Sequence, residues 1–422
     1  MNIYSFSIIA FLLLSFSLFS QKIHKSPITA PIIFTFFGFI LGPDLLNLVN
    51  LQVSNEITKI IAILTLVLVL FTDASRMQLK SIQKYHNIPV RLLVIGLPLT
   101  FLFGWFFAYF FFPQLAFFEL ALLSAVLCPT DAALIHGVVS FPRVPLRIRQ
   151  ALNIESGLND GLMVPIVVGL ISIVSALETT ITPNSWIILL VREIAIGFIV
   201  GFFLGNLGGK ICEFTHRKKW MDHTFEEISA IAVALLAYTL SELLYGNGFI
   251  GAFTSGLFIS NYAKSMKKSI QDFASTEGQL LTLLLFFIFG SSFVATAISK
   301  ISFSIFIYAI LSLTVIRMIP VSLSLLGCGL RGPTYLYLGW FGPRGIASIV
   351  FAFLVLEKVP TASGQFIFDV AVATILLSIF IHGLTSMLGA NWYSRVINRV
   401  KGRIVEQKMV KEIPLKTNHH NS

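Results

Sequence analysis

Thirteen apolar stretches, each long enough to cross a bilayer or nearly so, follow one another through the sequence with only short polar breaks between them. They cover about 3–20, 28–49, 57–75, 90–112, 116–139, 151–176, 186–208, 225–245, 247–263, 278–298, 302–327, 334–356 and 365–389. A helix needs about 20 residues to span the hydrocarbon core. Lipid offers no hydrogen bonds to bare backbone groups, so a chain patterned in this way folds as transmembrane helices. Only 12% of the 422 residues are charged and 56% are hydrophobic, whereas an average soluble domain carries about twice that charge. A soluble multidomain protein and a disordered chain are therefore excluded. The first stretch has neither a basic leader nor an A-x-A cleavage site and reads as a span, not a signal peptide. Cys128, Cys212 and Cys328 are too dispersed for a disulfide framework or a zinc site.

The basic residues report orientation. Alternate loops and the tail hold 24 of the 30 Lys and Arg residues, among them Arg76, Lys80, Arg147, Lys218, Lys264, Arg331 and Arg395. The opposite loops hold only Lys59, Lys300 and Lys358, and Arg192, Arg317 and Arg344 lie within spans. Lys and Arg concentrate on the cytoplasmic side, which predicts an N-terminus outside and a cytoplasmic C-terminus in the inner (plasma) membrane. A missed or extra span would scramble this split, so it also supports the count. The net charge of +10 then faces anionic lipid headgroups, and no nucleic-acid partner is expected. The expected fold is an all-α polytopic membrane protein occupying about residues 1–390, with a short basic tail at 391–422. Repeat one covers about 1–180, a linker span about 186–208 and repeat two about 225–389.

Charged groups inside spans are expensive and usually functional. Asp131 follows Pro129 and Thr130 in the fifth span. Glu155, Ser156, Asn159 and Asp160 share the sixth. Arg344 lies in Gly342-Pro343-Arg344-Gly345 of the twelfth, and Asp73 ends the third. Ser156 and Asp160 are four apart and occupy one helix face; Glu155 and Asn159 occupy another, about 100° away. One face is suited to a ligand held by carboxylate and hydroxyl, the other to a buried cation such as Arg344. Pro129 and Pro343 break their spans near mid-depth, which is tolerated where backbone lines a cavity or is buried in protein. Paired interrupted helices in the two halves of a chain point to a transporter site. Spans 1–6 and 8–13 are accordingly expected to be inverted repeats whose broken helices cross near the midplane.

Simpler roles compete with each of these. Asp131 after a break suits a helix N-cap, Ser156 a back-bond to a carbonyl, and Asp73 a cap beside Arg76. Arg317 and Arg192 suit scaffold pairs with Glu193 or Glu242, and His136 a satisfied core position or a pH sensor. There is no H-E-x-x-H, G-x-G-D or G-x-S-G motif, so an intramembrane protease is disfavoured and the chain is not expected to be an enzyme. A cation channel or another inverted-repeat transporter remains an alternative.

The Thr130-Asp131 break, the Glu155-Ser156…Asn159-Asp160 helix, the Gly342–Gly345 break, Leu70–Ala74 and Gly246-Asn247-Gly248-Phe249 together resemble NhaP-type sodium/proton antiporters, bacterial monovalent cation:proton antiporters with the Asn-Asp motif. The resemblance covers roughly residues 1–390. It implies exchange of Na+ (or Li+ or K+) for H+, one-for-one electroneutrality, a role in pH homeostasis and no cofactor beyond the transported ions. It implies a homodimer with a dimerisation region and a mobile six-helix core. It assigns Asp160, Asp131, Ser156 and Thr130 to the cation and proton site, with Asp160 and Asp131 as the ligands of the monovalent cation. Glu155 and Arg344 become a structural ion pair supported by Asn159. Asp73 is a departure, since many relatives carry Glu there.

Overall fold

A computed structural model of the chain describes residues 3–24, 26–49, 56–76, 87–178, 183–263, 267–400 and 404–407. Lys25, Lys80, Lys84, Lys264, most of the basic tail and the side chain of His136 lie outside the described residues. All regular secondary structure among the described residues is helical. Among the described residues, nine helices are long and apolar enough to cross a membrane, with shorter apolar helices at Ala30–Leu41 and Phe117–Val126.

Each of the thirteen stretches falls on helix. Span 1 is Ile3–His24, span 2 Ala30–Leu41, span 3 Glu56–Arg76 and span 4 Asn87–Phe111. Span 5 consists of Phe117–Val126 followed, after an irregular segment, by Ala132–Ile135 and His136–Val139. Spans 6 to 9 are Leu146–Glu178, Pro183–Arg217, His223–Leu243 and Gly248–Tyr262. Span 10 runs from Lys267 through Phe289 and ends at Lys300. Span 11 is Phe303–Leu313 with Val315–Ser324, span 12 is Gly332–Trp340 with Ile346–Lys358, and span 13 is Ala362–Asn398.

Three irregularities have no signature in the hydrophobic pattern. Spans 4 and 10 each carry a π turn, at Leu92–Gly96 and Gly290–Val294, and such turns often mark functional regions. Span 11 breaks at Thr314, whose φ of −114° and ψ of −93° are not helical. Span 13 also continues to Asn398, beyond the expected start of the tail at 391. Ala390, Tyr393 and Ile397 lie on its buried face and pack with Leu330 and Tyr337, so apolar burial carries the helix past that point.

The spans pack as two bodies. Spans 2, 3, 7, 8, 9 and 10 pack mainly on one another, as do spans 4, 5, 6, 11, 12 and 13. Span 1 joins the first body through Phe16, whose ring lies 5.3 Å from that of Phe34. The bodies meet where spans 3 and 9 lie against span 6, and spans 3 and 10 against span 12. On the face opposite the basic loops, two ion pairs cross this boundary. Lys59 of span 3 meets Glu357 of span 12 at 2.9 Å, and Lys300 of span 10 meets Asp369 of span 13 at 3.0 Å. Gln365 donates to the other oxygen of Asp369 at 2.9 Å.

On the basic face, residues 404–407 fold back under the second body. The buried carboxylate of Glu406 accepts from the backbone N–H of Arg331 at 2.8 Å and from the Thr334 hydroxyl at 3.0 Å. It thereby places a negative charge at the N-terminus of Gly332–Trp340, where the helix dipole favours one. Arg147 of span 6 donates to the Val405 carbonyl at 2.8 Å and secures the segment from the other side. Replacing Glu406 by Ala strips this helix end of its cap and is expected to cost about 1–2 kcal/mol. Thermal unfolding of the purified protein checks it: Glu406→Ala should melt several degrees below wild type, and an unchanged midpoint would contradict the cap.

Candidate functional site

The proline-bearing breaks of spans 5 and 12 lie against each other. Helix ends at this depth leave backbone donors and acceptors without water to satisfy them. Asp131 serves the donors. Its Oδ1 accepts from the N–H of Ala133 at 2.8 Å, at the start of the second half of span 5. Its Oδ2 accepts from the N–H of Ile346 at 3.0 Å, at the start of the second half of span 12. One carboxylate thus caps both N-termini. The two breaks are also joined directly, because the Asp131 N–H donates to the Pro343 carbonyl at 2.8 Å. Gly345 permits this approach: a Cβ there would lie 2.2 Å from Asp131 Oδ2.

Arg344 serves the acceptors. Its guanidinium donates to the carbonyls of Cys128 at 3.4 Å, Gly342 at 3.2 Å and Ser312 at 3.3 Å. These carbonyls sit at or just beyond the C-terminal ends of the first halves of spans 5, 12 and 11, where a positive charge is favoured. Its backbone N–H donates to Ser378 of span 13 at 2.7 Å, and Ser378 Oγ lies 3.1 Å from Nδ1 of the buried His382. Ser348 closes the crossing by donating to the Val126 carbonyl at 2.8 Å.

Span 6 lies alongside this crossing and is joined to it through Thr130. The Ser156 hydroxyl donates to the Thr130 carbonyl at 2.7 Å, and Asn159 Nδ2 donates to the Thr130 hydroxyl at 2.6 Å. Asp160 follows directly and is buried, as are Asp131, Ser156, Asn159 and Thr130. The helix is also close to the first body here: a Cβ on Gly161 would lie 2.0 Å from the Phe253 ring of span 9. The region therefore combines carboxylate, hydroxyl and break-released carbonyl oxygens, which are the donors that hard cations take. Asp73 is buried at the basic end of span 3, with its Oδ1 3.8 Å from Arg76 Nη1 one turn on.

The expected pairing of Glu155 with Arg344 is not what the structure contains. Glu155 Oε1 lies 2.5 Å from Nη2 of Arg317, in the second half of span 11, with both side chains buried. Arg344 is committed to helix-end carbonyls instead. Asn159, expected to support the ion pair, supports Thr130. Arg317 pairs with neither Glu193 nor Glu242, and Arg192 lies over the Tyr245 ring at 5.6 Å. A buried Arg needs a partner, so Arg317 was legible as half of a pair. Which acid faced it depends on the break at Thr314, which rotates the second half of span 11. Ser312, Ser348, Ser378 and His382 carried no signal, because small polar residues and a lone His occur in many spans.

Residues 8–388 match the family model described as sodium/hydrogen exchanger, transmembrane. The K(+)/H(+) antiporter NhaP of Alkalimonas amylolytica is 25% identical over 284 residues, 67% of this chain and 48% of that protein. A Na(+)/H(+) antiporter of Schizosaccharomyces pombe is 25% identical over 371 residues, covering 80% of this chain and 78% of that protein. The chain thus spans about half the length of the first of these relatives. The sodium proton antiporter MjNhaP1 from Methanocaldococcus jannaschii, in its structure at pH 8, superposes with a TM-score of 0.73. At 21% identity this covers 94% of this chain and 99% of that one, and it shows a common fold.

Breaking a buried ion pair by removing one partner costs about 3–5 kcal/mol, because the remaining charge is uncompensated. Glu155→Gln and Arg317→Met should each lower the melting temperature strongly, and the double variant should recover much of the loss. Combining Glu155→Gln with Arg344→Met should recover far less. Melting curves for the two double-mutant cycles decide the pairing, and coupling to position 344 alone would refute it.

Proposed function

The chain belongs to the sodium/hydrogen exchanger family, and from that membership we propose that it exchanges a monovalent cation, Na+ in the first instance, for H+ across the membrane. The observation that carries this reading is the buried group of Asp160, Ser156 and Thr130 beside the crossing of two broken helices. A carboxylate enclosed by hydroxyl and carbonyl oxygens accepts either a proton or a hard cation. Occupancy by one then excludes the other, and if the protein reorients only with one of them bound, exchange is coupled with no separate proton path. Asp131 contributes as the second carboxylate while capping the two half-helices, and Asp73 as a more distant acid. The Asn159-Asp160 pair supports one-for-one, electroneutral exchange. K+ is the second reading, supported by the relative from Alkalimonas amylolytica, which is a K(+)/H(+) antiporter by name. Ion gradients alone drive such a cycle, with no cofactor, in support of pH homeostasis.

The two bodies supply the moving parts. The six spans that hold the site form one packed unit braced by Glu155–Arg317, while spans 2, 3 and 7–10 form the frame. Movement of the first against the second alternates access to a midplane site. Lys59–Glu357 and Lys300–Asp369 each take their Lys from the frame and their acid from the unit that moves. They close the outer face and must part when it opens. The basic face is cytoplasmic in this reading, the membrane is the plasma membrane, and the frame forms a homodimer through the exposed apolar faces of spans 1 and 7, which include Phe11, Leu18, Ile199 and Phe203.

Two measurements test the proposal. Asp160→Asn in vesicles should abolish cation-dependent proton flux across a panel of Na+, Li+ and K+ at several pH values; exchange retained at the wild-type level would sink the assignment. A Lys300→Cys, Asp369→Cys pair should stop exchange when oxidised to a disulfide and restore it on reduction. Undiminished exchange by fully cross-linked protein would show that these two residues do not part.

A further inference from the structure

An apolar crevice of about 460 Å³ opens between spans 11, 12 and 13, away from the buried acids. Met318, Leu336, Trp340, Leu388 and Trp392 line it, and Leu336, Leu388 and Trp392 are themselves exposed. It persists because Gly389 has no side chain to fill it: a Cβ there would lie 2.4 Å from the Phe341 ring. The ring N–H of Trp340, the obvious polar group in the wall, is already used, donating to Thr385 at 3.1 Å. What remains is a wall suited to hydrocarbon, and the volume falls within the range of about 300–1,000 Å³ found for ligand pockets.

The crevice has a charged mouth. It lies in the half of the protein that carries the basic loops, between the start of span 12 and the end of span 13. Leu388, Trp392, Arg395 and Arg399 are spaced four, three and four apart, which sets them along one helix face. That stripe passes from apolar wall through an interfacial Trp to two exposed Arg residues. Arg331, exposed at the start of Gly332–Trp340, lies five residues before Leu336 on the other side of the crevice. None of these three guanidinium groups has a hydrogen-bond or ion-pair partner among the described residues. Long Arg side chains reach toward headgroup level, and Arg forks match phosphate oxygens in pairs.

We propose that this crevice is a binding site for an anionic phospholipid, with one acyl chain against Trp340, Leu388 and Trp392 and the phosphate held by Arg395, Arg399 and Arg331. Basic pockets between transmembrane helices on the cytoplasmic side are a recurrent form of headgroup recognition. An ordinary lipid-facing groove has the same wall but no preference for headgroup charge, so charge selectivity separates the two. The site needs only the membrane placement of these spans and holds or fails apart from the transport reading, because its readout is binding.

Native mass spectrometry of the purified full chain, with phosphatidylglycerol and phosphatidylcholine of identical acyl chains, tests it. Wild type should retain phosphatidylglycerol at least tenfold more than phosphatidylcholine. A basic residue near the surface contributes about fivefold, so the double variant Arg395→Gln, Arg399→Gln should lose most of that preference while melting like wild type in lipid-free detergent. Glycerol phosphate, a headgroup without chains, should not compete. Equal retention of the two lipids by wild type, an undiminished preference in the double variant, or full competition by glycerol phosphate would each overturn the proposal.

Discussion

Interrupting two helices at the depth of the site exposes backbone donors and acceptors where no water is available, and the rest of the site depends on how they are satisfied. Asp131 takes the N–H groups at the start of two half-helices, and Arg344 takes carbonyls at the end of three. Each charge sits where the local dipoles favour its sign. Among the described residues neither charge has an ion-pair partner of opposite sign. The crossing is therefore polar, and the Thr130 carbonyl, released from ordinary helical bonding, meets span 6 through Ser156.

That arrangement leaves span 6 held by two separate sets of contacts. Glu155 braces the helix against span 11 through Arg317. Ser156 and Asn159 tie it to Thr130, which holds Asp160 beside the crossing and near the boundary with the other body. The Glu155–Arg317 brace ties span 6 to span 11 from a different face than the one Asp160 occupies. The body boundary, by contrast, is bridged on the face opposite the basic loops by Lys59–Glu357, which is partly exposed, and by Lys300–Asp369, an exposed Lys against a buried acid. An exposed pair such as Lys59–Glu357 is individually weak, which fits the proposal that this boundary parts and re-forms.

Much of this was legible in the chain before any coordinates. The thirteen stretches, the two broken spans and the cluster at 155–160 follow from hydropathy, Pro and buried charge, each of which acts locally. The cap role of Asp131 is among the roles the sequence allows, and a structural role for Glu155 is the one it favours, with Arg344 as the expected partner. The partner of Glu155 was not legible, because Arg317 and Arg344 are equivalent buried cations until span 11 breaks at Thr314. The π turns at Leu92–Gly96 and Gly290–Val294 were also invisible, since one added residue in a uniformly apolar helix leaves the hydropathy unchanged.

Sequence alone determined the class of the molecule, the number and order of its spans, the depth of its breaks and which residues bear charge within the membrane. Those are one-dimensional properties, because lipid imposes the same demand on every stretch of chain. Tertiary structure decided which charges meet. A guanidinium reaches a carboxylate or a carbonyl according to the rotation of its helix and the neighbour packed against it, and neither is written in the order of the residues. So Arg344 serves the helix ends, Arg317 holds Glu155, and Asp131 caps the two half-helices on which the crossing is built.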